Sequence, residues 1–215
     1  MSGMEDLIEA YGEPELVGQL RRLRPKNYDE FNSQLYADLD VLVGYVEADA
    51  KDFTAAGEDV LNRELVRLLK ARCYIASHDH DEGGHVDVHV RSRGDQFSWL
   101  GEAKLDNGPA YLTKGVSQLT ERYARGTPGH NCGGFLVYVQ KKRVAERFAK
   151  WKDHLAANAA DYEGLTFDTC PTRAGLAFFT EFVLPRMGEG VPKYRIRHLA
   201  VSAFREASEE AAAAA

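Results

Sequence analysis

The segment from Gly84 to Leu105, GHVDVHVRSRGDQFSWLGEAKL, limits the fold more than any other part of the chain. Polar and apolar residues alternate along both halves of this segment, and a period of two is typical of β-strands with one buried face. The dipeptide Gly94-Asp95 separates the halves, and glycine at the first central position favours a two-residue type II′ turn. The segment therefore predicts an antiparallel hairpin.

The predicted turn also determines which residues of the two strands face each other. One side of the ribbon carries the apolar pairs Val86–Ala103, Val88–Gly101 and Val90–Trp99. The other side carries the pairs Asp87–Glu102, His89–Leu100 and Arg91–Ser98. This register separates apolar from polar residues in both strands, as a hairpin with one buried face requires.

Two carboxylates lie side by side in this register. Directly opposed residues have Cβ atoms about 4.5–5.5 Å apart, and like charges at that distance repel each other. Lys104 follows Glu102 by two residues and therefore shares its face with Asp87. A divalent cation between the acids, with the ammonium group beside them, would remove the repulsion. We therefore predict a Mg²⁺ or Mn²⁺ site.

The same three side chains have the chemistry that hydrolysis of a phosphodiester needs. Mg²⁺ uses one or two protein carboxylates, keeps several waters and accepts phosphate oxygens. A nearby lysine can position the attacking water and stabilise the negative charge that develops on phosphorus. An ion pair on a solvated strand face is the simpler alternative, but it does not explain why two acids face each other.

Helical and strand-like patterns alternate along the rest of the chain. Apolar residues spaced three and four apart predict helices near residues 31–46, 58–72, 111–125 and 144–157. Strand patterns occur between residues 73 and 105, at 135–139, and near 176–184 and 194–202. This order predicts an α/β sandwich with a mixed sheet. We expect one domain, with a helical N-terminal extension at 1–56, a core at 57–205 and an alanine-rich tail at 206–215.

The ordered motif resembles the PD-(D/E)XK nuclease superfamily, which has the restriction-endonuclease-like fold. The resemblance rests on Asp87 as the first acid and on Glu102-Ala103-Lys104 as the E-x-K element, and it covers residues 57 to 140. A hairpin separates the two parts, and a helix and a buried strand follow them. Val86 replaces the proline of the family's name. The resemblance implies a three-layer sandwich and a metal-dependent nuclease, with DNA favoured over RNA.

The resemblance also implies further site residues. The carbonyl group of Ala103 would complete the metal shell, and Glu64 would face the metal from the helix before the first strand. An exposed ion pair of Glu64 with Arg67 or Lys70 is the alternative.

Some members that resemble RecB-type nucleases carry glutamine and tyrosine on the helix after the E-x-K strand. Gln118 matches the glutamine, whereas Tyr123 follows it by five positions rather than four. Lys114, Arg122 and Arg125 form a basic ridge with Gln118 at helical spacing, which predicts contact with a nucleic-acid backbone. A solvated helix face is the alternative.

A second cluster has metal-ligand chemistry. It comprises His78, Asp79, His80, Asp81, Glu82 and His85. Alternating histidine and aspartate suit Zn²⁺, Mn²⁺ or Fe²⁺, so an H-x-H site with Asp87 predicts an alternative hydrolase. The residues Asp81-Glu82-Gly83-Gly84 favour a solvated turn instead.

The remaining features narrow the class of protein. The sequence has no run of eighteen apolar residues, no signal-peptide pattern, no G-x-S-x-G and no P-loop, so we expect a cytoplasmic protein that binds no membrane. An endonuclease in bacterial antiviral defence or DNA processing is the role usual for the superfamily. The alternative is a non-cleaving nucleic-acid- or protein-binding module, which the net charge of −6 favours. The acidic residues 1–60 would suit a partner protein, and such nucleases often form homodimers.

Overall fold

The computed structural model describes residues 14–78, 80–81, 85–188 and 190–205. The predicted tail at 206–215 and the first thirteen residues of the predicted extension lie outside the described residues. The α-helices are α1 (Pro14–Leu23), α2 (Tyr28–Ala48), α3 (Ala50–Phe53), α4 (Glu58–Ala71), α5 (Pro109–Ser117) and α6 (Val144–Ala157). A π-helix (Gln118–Tyr123) continues α5, and a 3₁₀-helix (Ala159–Asp161) follows α6. The strands are β1 (Ile75–Ser77), β2 (His80–Asp81), β3 (His85–Val86), β4 (Val88–Arg91), β5 (Ser98–Leu105), β6 (Cys132–Val139), β7 (Thr166–Thr169), β8 (Ala177–Phe182) and β9 (Tyr194–Ser202).

A seven-stranded sheet lies at the centre of the described structure, with the strand order β1-β4-β5-β6-β9-β8-β7. Strands β5, β6 and β9 are parallel, and the other neighbours are antiparallel. Strands β2 and β3 form a separate two-stranded sheet. The predicted α/β class with a mixed sheet is therefore confirmed. Within the described ranges, no helix is both long and apolar enough to cross a membrane.

Hydrophobic side chains from both faces of the sheet form two clusters, and each cluster includes helices. Phe31 and Leu35 of α2 and Leu61 of α4 belong to the first cluster, together with inward residues of the sheet. The second cluster contains Leu112 of α5 and Trp151 of α6. The described part of the predicted extension therefore contributes to the core, because α2 covers one face of the sheet.

The predicted hairpin has the predicted register but a longer loop. Strands β4 and β5 pair Val88–Gly101, His89–Leu100, Val90–Trp99 and Arg91–Ser98. The predicted two-residue turn is wrong, because the backbone amide of Asp95 donates to the carbonyl of Ser92 over 3.1 Å within a loop at 93–96. Gly94 has a φ of 84°, and the third position of a type II turn requires positive φ. The loop stays centred on the same two residues, so the register is unchanged.

The strand is interrupted at Asp87, which the alternating pattern did not predict. Strand β3 ends at Val86, and β4 begins at Val88. Val86 packs in the second cluster, whereas Val88 and Val90 pack in the first. The prediction that Val86 shares one apolar side with the other valines is therefore wrong, since a bend between two strands resets which face each side chain occupies.

The helix after β5 also differs from its prediction. Helical structure ends at Tyr123 rather than at Arg125, and its second half is a π-helix. Arg125 is exposed beyond this end. It therefore does not continue the helical spacing of Lys114 and Arg122.

A buried ion pair joins α1 to the core. The Nε and Nη2 atoms of Arg22 donate to the two carboxylate oxygens of Asp38, each over 2.7 Å, and the Tyr74 hydroxyl donates to the same carboxylate over 2.6 Å. Burial alone would raise the pKa of Asp38, but the hydrogen bonds from Arg22 and Tyr74 outweigh it and lower this pKa. Asp38 is therefore ionised in the folded protein at neutral pH.

We expect Asp38→Ala to lower the free energy of unfolding by about 3–5 kcal/mol, because it leaves the buried guanidinium of Arg22 without this carboxylate. Urea denaturation followed by circular dichroism measures the change. Asp52→Ala, at an exposed position on α3, is the control and should change this free energy by about 0.5 kcal/mol or less. Equal small effects of both substitutions would contradict the assigned role of the buried pair.

Candidate active site

Asp87 lies at the bend between β3 and β4, and β5 holds its carboxylate. The backbone amide of Ala103 donates to Oδ2 of Asp87 over 2.9 Å. The carbonyl of Asp87 is hydrogen-bonded to Nδ1 of His78 over 2.8 Å. In a regular ladder the amide of Ala103 would bond to a neighbouring backbone carbonyl. The side chain of Asp87 takes that place, so its position is tied to the strand that carries Glu102.

Glu102 is buried in the middle of the sheet, with 2% of its surface exposed. Its Oε1 accepts a hydrogen bond from Nζ of Lys104 over 2.6 Å, whereas its Oε2 has no hydrogen-bond partner among the described residues. Burial and the negative charge of Asp87 raise the pKa of Glu102 to about 7. Burial also raises the pKa of Asp87. The structure therefore brings the two predicted carboxylates into one enclosed and electrostatically unfavourable environment.

Lys104 lies beside these acids, with its Nζ 2.6 Å from Oε1 of Glu102. Burial alone would lower the pKa of Lys104, but the negative charges of Glu102, Asp87 and Glu58 outweigh burial and raise it. The side chain is 11% exposed. Lys104 therefore stays protonated near neutral pH and acts as a positive charge rather than as a base.

Glu58, the first residue of α4, joins the site although the sequence did not predict it. Its Oε1 accepts hydrogen bonds from the amide of Leu105 over 2.8 Å and from the hydroxyl of Tyr111 over 3.1 Å. Its Oε2 lies 3.8 Å from Nζ of Lys104. An acid in the first turn of a helix is common, because it interacts favourably with the helix dipole. That local signal does not show that the helix begins beside Lys104.

Glu64 makes its described contacts on the surface. Both carboxylate oxygens accept hydrogen bonds from Arg67, over 2.6 and 2.7 Å, and this partner lowers the pKa of Glu64. The ion-pair alternative therefore describes Glu64, rather than the predicted metal-facing position. Glu58 is the acid through which α4 reaches the site.

The π-helix changes how Gln118 and Tyr123 relate to each other. Residues five apart are hydrogen-bonded in a π-helix, so the spacing of these two residues corresponds to one turn. Tyr123 is buried, and burial followed by the negative charge of Glu102 raises its pKa. Gln118, Lys114 and Arg122 line a surface cleft of about 440 Å³. The helix therefore presents a polar cleft on its surface, and the helix itself packs against β5, the strand that carries Glu102.

The alternative histidine cluster falls largely outside the described residues. Asp79 and Glu82 are not described, and His80, Asp81 and His85 are described only in their backbone, as parts of β2 and β3. The described member, His78, bonds to the backbone of Asp87. Across the described ranges, no group of three or more His, Cys, Asp or Glu side chains is placed so that it could hold a metal ion.

Sequence and structure comparisons identify no relative. The chain matches no protein-family model, and it resembles no curated protein or solved structure closely enough for the likeness to be significant. The chemistry of the site is therefore inferred from its residues.

We expect Glu102→Gln to stabilise the metal-free protein at about pH 8 and to stabilise it much less at about pH 5. The pKa of about 7 in the folded protein lies above the ~4.3 of an exposed glutamate, so the folded state keeps a proton that the unfolded state releases. Stability from this group is thus lost as pH rises from about 4.3 to about 7. Urea denaturation in EDTA at both pH values measures the effect.

The matched control is Glu163→Gln, because Glu163 is exposed. The change in the free energy of unfolding caused by Glu163→Gln should be the same at the two pH values. A pH-independent effect of Glu102→Gln would contradict the raised pKa.

Proposed function

We propose that the protein is a metal-dependent nuclease that hydrolyses phosphodiester bonds, with DNA as its substrate. One observation carries the proposal: Asp87 and Glu102 are held together in a buried environment with Lys104 hydrogen-bonded to the second acid. Enclosing two carboxylates costs stability unless a cation binds between them. Enclosed charged groups with shifted pKa values are typical of a functional site.

The arrangement of elements supports a restriction-endonuclease-like fold as part of the proposal. Helix α4 precedes β1, β4 and β5, and α5 and β6 follow them. The three strands are antiparallel neighbours, and β6 pairs with β5 in parallel. This is the order of elements that the family resemblance implies around the two acids and the lysine.

The residues present suit Mg²⁺ or Mn²⁺. Carboxylate oxygens are hard ligands, and the buried Oε2 of Glu102 lacks a protein partner among the described residues. Asp87 and Glu102 would hold the ion, with the carbonyl of Ala103 as a further ligand. A complete protein shell is unnecessary, because Mg²⁺ usually keeps several waters and binds substrate oxygens. The bound ion would supply charge neutralisation and Lewis-acid polarisation of the phosphate.

The other residues of the site have separate roles in this proposal. Lys104 orients the attacking water and stabilises the charge that develops on the phosphate oxygens. Glu58 helps to position the ammonium group of Lys104, which lies 3.8 Å from Oε2 of Glu58 and 2.6 Å from Oε1 of Glu102. The cleft with Gln118, Lys114 and Arg122 binds the nucleic-acid backbone, since lysine and arginine neutralise phosphate. Arg125, which is exposed beyond the helix, is a further phosphate contact in this proposal.

We expect the protein to cleave DNA with Mg²⁺ or Mn²⁺ and not in EDTA, and we expect Lys104→Ala to lower the rate about 10²–10³-fold. Supercoiled, linear and single-stranded DNA, together with RNA, are incubated with each metal and resolved on gels. Lys150→Ala, at an exposed position on α6, is the matched control and should cleave at the wild-type rate.

Binding without metal-dependent cleavage would favour the non-cleaving module. Cleavage that is unchanged in Lys104→Ala would contradict the proposed mechanism. A preference for RNA would change the assigned substrate.

We expect Glu58→Gln to lower the cleavage rate about 10- to 100-fold, because it removes the charge that faces Lys104 from α4. Glu64→Gln is the matched control on the same helix and should leave the rate unchanged, since Glu64 pairs with Arg67. Rates are compared on one DNA substrate after circular dichroism has shown that both variants fold. A larger loss from Glu64→Gln would overturn the assignment of Glu58.

A further inference from the structure

His78 lies between β1 and β2, opposite the bend at Asp87 that separates β3 from β4. The pairs Ser77–His89 and His80–Val86 belong to one continuous antiparallel register, because His80 is three positions after Ser77 and Val86 is three positions before His89. The ladder is thus in register on both sides of Asp87. Between these two pairs, Nδ1 of His78 bonds to the carbonyl of Asp87 over 2.8 Å.

This hydrogen bond has only one chemically allowed direction. A backbone carbonyl accepts and cannot donate, so Nδ1 of His78 carries the proton. The other ring nitrogen, Nε2, lies 3.8 Å from Oδ1 of Asp59 in the first turn of α4. The ring is only 16% exposed. His78 is therefore enclosed between the start of α4 and the bend that carries the first acid.

Asp87 is consequently held from two directions. The Ala103 amide bonds to its carboxylate from β5, and the His78 ring bonds to its carbonyl from the segment after β1. Among the described residues, strand pairs on either side of the bend would be its remaining attachment to the neighbouring segment without the histidine bond. A free bend would let the carboxylate rotate away from Glu102.

We propose that His78 is a positioning residue, which holds the backbone of Asp87 so that its carboxylate and that of Glu102 can bind one divalent cation. The proposal rests on the metal-dependent function proposed above. It differs from the H-x-H alternative, in which the histidine itself would bind metal. Hydrogen-bonding partners behind metal ligands typically change metal affinity about 10- to 100-fold when removed.

The test compares three substitutions in the full chain: His78→Ala, His78→Asn and His78→Gln. The asparagine amide nitrogen lies near the position of Nδ1, whereas the glutamine amide nitrogen lies near that of Nε2. Mn²⁺ affinity is measured by electron paramagnetic resonance of the free ion, and DNA cleavage is measured with Mg²⁺. Circular dichroism in EDTA establishes that each variant folds.

We expect His78→Ala to bind Mn²⁺ about 10- to 100-fold more weakly than the wild type. His78→Asn should recover most of this affinity, and His78→Gln should not. Cleavage should follow the same order. If His78→Ala does not fold, His78→Asn and His78→Gln test the inference instead. Of these two, only asparagine keeps a donor at the position of Nδ1.

Three results would overturn the inference. Wild-type Mn²⁺ affinity in His78→Ala would show that the bond does not position Asp87. Recovery by glutamine and not by asparagine would identify His78 as a metal ligand through Nε2. Absence of both Mn²⁺ binding and cleavage in the wild type would instead overturn the proposed function, and the inference with it.

Discussion

The arrangement of the site depends on the cost of burying negative charge at Asp87 and Glu102. Lys104 is the cation bonded to Glu102, and its ammonium group also faces Glu58. One positive charge cannot neutralise three carboxylates, and burial together with this excess of negative charge raises the pKa of Glu102. Proton uptake relieves the excess in the metal-free protein, and a divalent cation would relieve it in the proposed enzyme. The same excess therefore links stability, pH dependence and the proposed metal binding.

Several elements must meet for this environment to exist. Strand β5 supplies Glu102 and Lys104, and its Ala103 amide orients Asp87. The first turn of α4 supplies Glu58, whose contact with the Leu105 amide joins the helix to the end of β5. Helix α2 covers the sheet on the same face as α4, so the N-terminal helices contribute to the support of the site as well as to the core. A strand and a helix therefore carry Glu102 and Glu58, and the carboxylate of Asp87, which lies at a bend, is bonded to β5.

Much of the fold could be predicted because its signals are local. Apolar residues at helical spacing predicted α6, and a continuous apolar run predicted β6. The residues of that run are buried on both faces of the strand, as the run indicated. The register of β4 and β5 followed from the centre of their loop, although the loop has four residues. The bend at Asp87 and the π-helix at Gln118 were not predictable in this way, because side-chain hydrogen bonds and packing stabilise them against the regular pattern. The exposed strand β7 was missed as well, since its short sequence TFDT has little periodicity.

The sequence by itself determined the register between β4, which begins directly after Asp87, and β5, which carries Glu102 and Lys104. Alternation and loop position, which set this register, are properties of neighbouring residues. The sequence therefore identified Asp87, Glu102 and Lys104 as one group. Only the tertiary structure decided that Glu58 rather than Glu64 reaches Lys104, and that His78 bonds to Asp87. The contact of Glu58 with Lys104 depends on where α4 begins relative to the sheet. That placement results from packing between residues far apart in the chain, which no local pattern encodes.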